Sequence, residues 1–252
     1  MVANSSFQLT LLLPVFNEVG NLSPLARALQ EQKSIAHVVW IDNGSTDGSS
    51  EILKAICAQD PRHRVLRLSP NRGYGGALRA GMAAYPPGTT HVGWMPADGQ
   101  TPVEDLLHVW EICLAFPRAI HKGRRSSRLD GMSQRLVSNA YSWICRRLFG
   151  LGVQDINGLP KIFPAPLAEE IASRAISQSF TLDVEMLWGA ARQGFPIEEH
   201  PVRFLKRVSG KSSWSGRRLQ TYAQTVSTLL KIRRVHQPIN RLFSWESPKV
   251  AP

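Results

Sequence analysis

Cysteine, acidic residues and long apolar runs are what this sequence has least of. Its three cysteines, Cys57, Cys113 and Cys145, lie far apart and form no Cys-x-x-Cys pair. That excludes a disulfide framework and a cysteine zinc site, and it fits a reducing cytosol. No apolar stretch approaches the roughly 18–20 residues needed to span a bilayer. No basic segment leading into a long apolar run opens the chain, so a signal peptide is not expected. A cytoplasmic protein is expected, meeting any membrane only peripherally, at its cytoplasmic face. Acid is the scarcer charge: 19 Asp and Glu stand against 30 Lys and Arg in 252 residues, a formal net charge of +11. This balance favours an anionic partner: nucleic acid, an acidic membrane surface or a phosphorylated substrate.

What is present is an ordinary apolar content, 43% of residues, enough for one large domain or one domain with an appendage. The chain is organised around Trp94-Met95-Pro96-Ala97-Asp98-Gly99-Gln100. The apolar run His91 to Met95 reads as a buried strand stopped by Pro96, with a carboxylate (Asp98) and an amide (Gln100) just beyond. Open α/β sheets bind ligands outside the carboxyl ends of their strands. Two oxygen donors there suit a hard divalent ion that substrate phosphates also hold.

Three strand–loop–helix units precede this one. Strands are predicted over Phe7–Leu13, Ala36–Ile41 and Arg64–Leu68. The helices are predicted to begin at Ser23-Pro24 (Ser23 as cap, Pro24 as first helical residue), to span Ser49–Ala58, and to run from the Asn71–Ala77 loop to about Ala84. A fourth helix is predicted over Val103–Phe116. Four such units imply a mostly parallel sheet with helices on its faces. The second half reads as a short strand Ala119–Lys122, a basic loop Gly123–Arg128, a helix Ser133–Phe149 and a strand Pro160–Phe163. Helices over Leu167–Ala175 and Leu182–Arg192 follow, then a strand to Phe204 whose two prolines suggest a sheet edge.

From Arg203 to Arg234 there are nine Lys or Arg and no acid. Leu219, Tyr222, Val226, Leu229 and Leu230 fall there close to helical spacing, with Trp214 just ahead. That pattern fits a helix packed on the main domain, or one lying on an anionic membrane surface. His236 to Pro252 reads as an irregular tail.

Leu13–Glu18, Asp42–Asp47, Asn71-Arg72-Gly73 and Ala97–Gln100, in this order, resemble the family 2 glycosyltransferases. Ser127-Arg128, Phe149 to Asp155, Asn157-Gly158, Phe180 through Met186, Glu199–Val202 and Arg207 through Ser212 resemble the dolichyl-phosphate mannose synthase subgroup. Together they cover roughly residues 8 to 213. The resemblance implies a GT-A fold over residues 1–213: a Rossmann-like α/β domain whose mostly parallel sheet is flanked by helices. Residues 214–252 would form a basic helical appendage and tail. It implies inverting transfer of a hexose from a nucleotide diphosphate sugar (GDP- or UDP-linked) to a polyprenyl phosphate, with a divalent cation, Mg or Mn.

By the same resemblance, Pro14, Phe16, Glu18, Asp42, Asn43, Gly73, Ala97, Asp98, Arg207 and Lys211 would bind the donor, and Asp98 and Gln100 the metal. Arg125, Arg128 and Ser212 would hold the acceptor phosphate, with Asp98, Arg128 and Asp155 at the reacting centre. A carboxylate suits ribose hydroxyls or base N–H groups, and arginine suits bidentate phosphate contact. Gly73 and Gly75 are expected to let the backbone approach the nucleotide. They are not a dinucleotide fingerprint, since Leu78 stands where its third glycine would be.

Two positions depart from the family pattern. Pro96 replaces the first aspartate of the metal motif, and Asn43 replaces an aspartate whose nucleotide contact an amide could still make. An acceptor phosphate is already ionised at pH 7 and needs no strong base. A hydroxyl acceptor would need one, with Asp155, Asp183 or Glu185 as candidates. Two other readings stand beside lipid phosphate transfer: transfer to a soluble hydroxyl, and a non-catalytic nucleotide-sugar-binding relative that Pro96 has disabled. No DNA- or RNA-binding motif is present, so a nucleic-acid partner is not expected.

Overall fold

The computed structural model describes residues 7–128, 132–207 and 218–236. The first half alternates strictly. β1 (Leu9–Val15), β2 (Ile35–Asp42), β3 (His63–Arg67) and β4 (His91–Trp94) are followed in turn by α1 (Val19–Gln30), α2 (Ser49–Gln59), α3 (Gly73–Met82) and α4 (Val103–Ala115). The second half holds β5 (Ile120–Arg128), α5 (Met132–Phe149), β6 (Lys161–Pro164), α6 (Ala165–Arg174) and α7 (Leu182–Arg192). It ends with β7 (Ile197–Phe204) and α8 (Arg218–Val235).

The seven strands form one sheet in the order β3-β2-β1-β4-β6-β5-β7. β6 runs antiparallel to both neighbours, and every other pairing is parallel. The continuous apolar run of β1 has a simple cause: both sheet faces are covered. Leu9, Leu11 and Leu13 point into the core shared with α1 and α4, and Leu12 into the core shared with α3, α6 and α7. α8 lies against α5, and its Leu229 and Ile232 are buried in the second of these cores.

Two local expectations are corrected. α1 begins at Val19, four residues before the predicted cap Ser23, and carries Pro24 inside it. Its start is fixed from a distance: the Val19 N–H donates to Asp47 Oδ2 (3.1 Å) and the Glu18 N–H to Ser49 Oγ (3.1 Å), partners that local sequence does not reveal. β5 continues to Arg128 rather than stopping at Lys122, because β7 pairs with it from Ile120 to Arg128. The predicted basic loop is therefore strand. β7 does occupy the sheet edge, with Pro201 inside it.

Candidate active site

The carboxyl ends of β2, β1 and β4 lie side by side, so the loops that follow them meet at one end of the sheet. The β1–α1 and β2–α2 loops are knitted together. The Asn17 N–H donates to Ser45 Oγ (3.1 Å), and the Thr46 N–H donates to Asn17 Oδ1 (2.8 Å). Asn17 holds a left-handed backbone, φ 57°, a conformation in which asparagine is enriched. Pro14 is the penultimate residue of β1, and Phe16, just past the strand, is exposed.

Asp42 ends β2 and is fully buried. Burial pushes its carboxyl up, but bonds from the Ser50 hydroxyl and the Ser45 N–H outweigh burial and hold it below the usual range. The Asn43 amide is engaged too: Nδ2 donates to Asn71 Oδ1 and Gly73 O (3.1 Å each), and its oxygen accepts the Arg72 N–H (2.9 Å). Asn43 thus clamps the loop at residues 71–73.

Gly73 and Gly75 have a structural neighbour of their own. A Cβ on Gly73 would stand 2.3 Å from Gln178 O, and one on Gly75 2.6 Å from Ser179 O. The Gly75 N–H donates to Gln178 O (2.9 Å). What comes close at these glycines is the chain's own 177–179 backbone, which ties the donor half to the segment entering α7.

Asp98 and Glu18 meet through one guanidinium. Arg207 Nη1 lies 2.8 Å from Glu18 Oε1, and Nη2 lies 2.8 Å from Asp98 Oδ2. Asp98 Oδ1 accepts the Gln100 N–H (3.0 Å), and Glu18 Oε2 accepts from Asn21 Nδ2 (2.6 Å). Burial raises both carboxyls, against the lowering effect of Arg207. Gln100 Nε2 donates to Leu205 O (3.0 Å), and the Leu205 N–H donates to Gln100 O (2.9 Å). The strand-end loop and the segment leaving β7 are thereby strapped together. Ala97 is buried beneath them.

The donor set for a cation is small. Among the described residues, no group of three or more His, Cys, Asp or Glu side chains could hold a metal ion. Asp98 offers a carboxylate, and the Gln100 amide, anchored through its nitrogen to Leu205 O, has an oxygen in addition. Magnesium and manganese keep few protein ligands and take phosphate oxygens readily. The residues present therefore fit a cation bound jointly with a diphosphate, and not one bound by protein alone.

Across β4 lies a second group. Arg125 donates to Asp155 through its backbone N–H (3.1 Å), Nε (2.8 Å) and Nη2 (2.7 Å), and its guanidinium sits 5.2 Å over the Phe204 ring. Burial pushes Asp155 up, but Arg125 and then Lys122 overcome it, and the carboxyl falls to about 2. Arg128 closes β5 with its backbone opposite Phe204. Lys211 and Ser212 lie outside the described residues.

Beneath this pair runs a network that the sequence did not disclose. Lys122 is fully buried and donates to Gly123 O (2.8 Å), Asp155 O and Glu199 Oε1 (2.9 Å). Glu199 in turn accepts the Gln154 and Asp155 N–H groups. Lys161, also fully buried, pairs with Asp183 Oδ2 (3.0 Å), whose other oxygen accepts from Trp94 Nε1 (3.3 Å). Burial brings Lys161 down to about 8. A lysine inside a strand covered on both faces was the available signal, since such a position demands a buried counter-charge.

Comparison with known proteins identifies the family and matches the fold. The family model described as glycosyl transferase family 2 matches residues 10–153. The undecaprenyl-phosphate mannosyltransferase of Micrococcus luteus is 28% identical over 214 residues, covering 81% of this chain and 86% of that protein. The polyprenol monophosphomannose synthase of Mycolicibacterium smegmatis is 27% identical over 218 residues, covering 81% and 80%. A solved structure of glucosyl-3-phosphoglycerate synthase from Mycobacterium tuberculosis, in complex with Mn2+, UDP and glucosyl-3-phosphoglycerate, shares the fold. Its TM-score is 0.68 at 17% identity, over 92% of this chain and 82% of that one. The family model spans more than half of the chain, including the strand-end loops that carry Glu18, Asp42 and Asp98, and the protein belongs to glycosyl transferase family 2.

Proposed function

We propose that this enzyme moves a hexose from a nucleotide diphosphate sugar, with inversion, onto a polyprenyl phosphate-type lipid at a membrane surface. The observation that carries the choice of acceptor is the state of the carboxylates. Asp155 is paired with Arg125 at 2.7 Å, which holds its carboxyl down at about 2 and leaves it too weak a base for a hydroxyl. Asp183 is paired with Lys161 and Trp94. Glu185 accepts the Ile176 and Ser177 N–H groups (3.0 and 2.8 Å) and His236 Nε2 (3.0 Å). An acceptor that arrives already ionised needs none of them. The names of the two mannosyl-transferring relatives point the same way.

In this reading an acceptor phosphate oxygen attacks the anomeric carbon from the face opposite the diphosphate. The bond from that carbon to the diphosphate oxygen breaks, and a nucleoside diphosphate leaves. Arg125 and Arg128 lie on the acceptor side, and Arg207 lies beside Asp98 on the donor side. A divalent cation bound by Asp98 and Gln100 together with the diphosphate would neutralise the charge that develops on the leaving group.

Two helices support a membrane setting. α5 and α8 contain no acidic residue. α5 exposes Leu136 and Trp143, with the Arg147 guanidinium 5.7 Å over the Trp143 ring. α8 exposes Val226 and Leu230, followed by Lys231, Arg233 and Arg234. Exposed apolar side chains beside basic ones suit an anionic lipid surface. Among the described residues, no helix is long and apolar enough to cross a membrane.

The test pairs labelled GDP- and UDP-hexoses with polyprenyl phosphate and, separately, with water-soluble hydroxyl acceptors, in the presence of Mn2+. Label is expected in the lipid phosphate fraction, and Asp98→Ala is expected to lower transfer at least about a hundredfold while the protein stays folded. Label only in soluble glycosides would replace the acceptor. Absence of transfer from every donor would leave a binding protein.

A further inference from the structure

Glu18 and Asp98 come from the ends of two different strands, and a single side chain satisfies both. Arg207 spans them at 2.8 Å on each side, and all three side chains are largely shielded: 23% exposed for Arg207, 10% for Glu18 and 9% for Asp98. The arginine is tethered where it stands. Two residues earlier, Leu205 exchanges two hydrogen bonds with Gln100, on the same loop that carries Asp98. With Asp98 Oδ1 taken by the Gln100 N–H and Oδ2 by Arg207, a cation arriving alone finds its carboxylate engaged and a positive charge beside it.

We propose that Arg207 is a resident counter-ion that keeps the ligand-free donor site closed, and that a divalent cation gains Asp98 only when a nucleotide diphosphate draws Arg207 away. A diphosphate offers the guanidinium a bidentate partner of higher charge than either carboxylate. One movement of Arg207 then releases two groups together: Asp98 for the cation and Glu18 for the nucleoside. Pro96 makes the coupling strict, because the metal motif holds no second carboxylate to catch the ion first. Cation and donor enter as a pair. This inference rests on the donor-site reading given above.

Mn2+ binding, read from the electron paramagnetic resonance of the free ion, tests it without any turnover. Wild-type protein is expected to bind Mn2+ weakly alone and at least about tenfold more tightly with UDP or GDP, whichever it accepts, a coupling in the ordinary range. Arg207→Gln is expected to bind Mn2+ alone several-fold more tightly than wild type, with the nucleotide effect reduced towards one. Arg207→Lys, which cannot span both carboxylates in a fork, is expected to fall between. Circular dichroism checks that each variant is folded. If Arg207→Gln leaves the affinity for Mn2+ alone unchanged or weaker, the counter-ion role is wrong while the donor reading stands. If wild-type protein binds neither nucleotide at any Mn2+ concentration, the donor reading falls and this inference with it.

Discussion

Asp155 shows how a single residue carries pH dependence here. Its folded pKa, about 2, lies below the ordinary carboxylate value because Arg125 and Lys122 overcome burial. A depressed carboxyl contributes stability that is complete above its unfolded pKa of about 3.9 and is lost as pH falls towards about 2. The contribution is on the order of 2–3 kcal/mol. In urea unfolding, the gap between wild type and Asp155→Asn should therefore be widest near neutrality and shrink by about that amount between about pH 5 and pH 2. A gap that stays constant with pH would mean that Asp155 is not the titrating partner. At this scale the sequence was legible where chemistry sits at a strand end. Glu18, Asp98 and Arg207 could each be named, and the structure brings them together. Its signal at Lys122 and Lys161 was weak, because a lysine at the end of a short apolar run looks like a solvated terminus until a second layer covers it. The loop clamp of Asn43 was not legible, since it depends on a segment 28 to 30 residues away.

The elements were legible to the extent that their causes are local. α7 shows the pattern well, predicted and found over Leu182–Arg192, with its apolar spacing and acidic first turn all inside the segment. α1 and β5 differ because their limits are set elsewhere, by Asp47 and Ser49 for the helix and by β7 for the strand. α3 gives a test of the same point. Replacing a helical glycine by alanine ordinarily stabilises by about 1 kcal/mol. Gly75→Ala should do the reverse, because the new Cβ would meet Ser177 O and Ser179 O, at 2.9 and 2.6 Å. A loss of about 1–3 kcal/mol is expected in denaturant unfolding, as for other overpacked sites. A gain in stability would show that the 177–179 segment yields easily and is no fixed wall of the site.

For the whole molecule, the open question in the sequence was whether the last helix packs on the domain or leaves it for a membrane. The structure gives α8 a part in the core through Leu229 and Ile232, with Val226 and Leu230 still exposed. Truncation after Gly216 is therefore expected to lower the melting temperature markedly rather than release a folded domain. Charge is the better lever. The Lys231→Gln, Arg233→Gln, Arg234→Gln triple variant should keep the wild-type melting temperature and sediment less with phosphatidylserine vesicles, with about 1 kcal/mol lost per charge near the surface. Wild-type binding should fade as salt is raised. Equal sedimentation of the two proteins at low salt would remove the surface role of α8.

The place of β6 beside β4 has a consequence in time. Four strands, β3, β2, β1 and β4, can pair once Trp94 has left the ribosome, but the far edge of β4 waits for β6, which begins at Lys161, 67 residues later (161 − 94). A ribosome adding about 5–20 residues per second leaves that edge bare for on the order of 3–13 s. Throughout that interval the growing chain carries an open β ladder beside the Trp94 indole, which the finished protein buries completely. An unpaired ladder of this kind is a template for strand addition by another chain until β6 covers it.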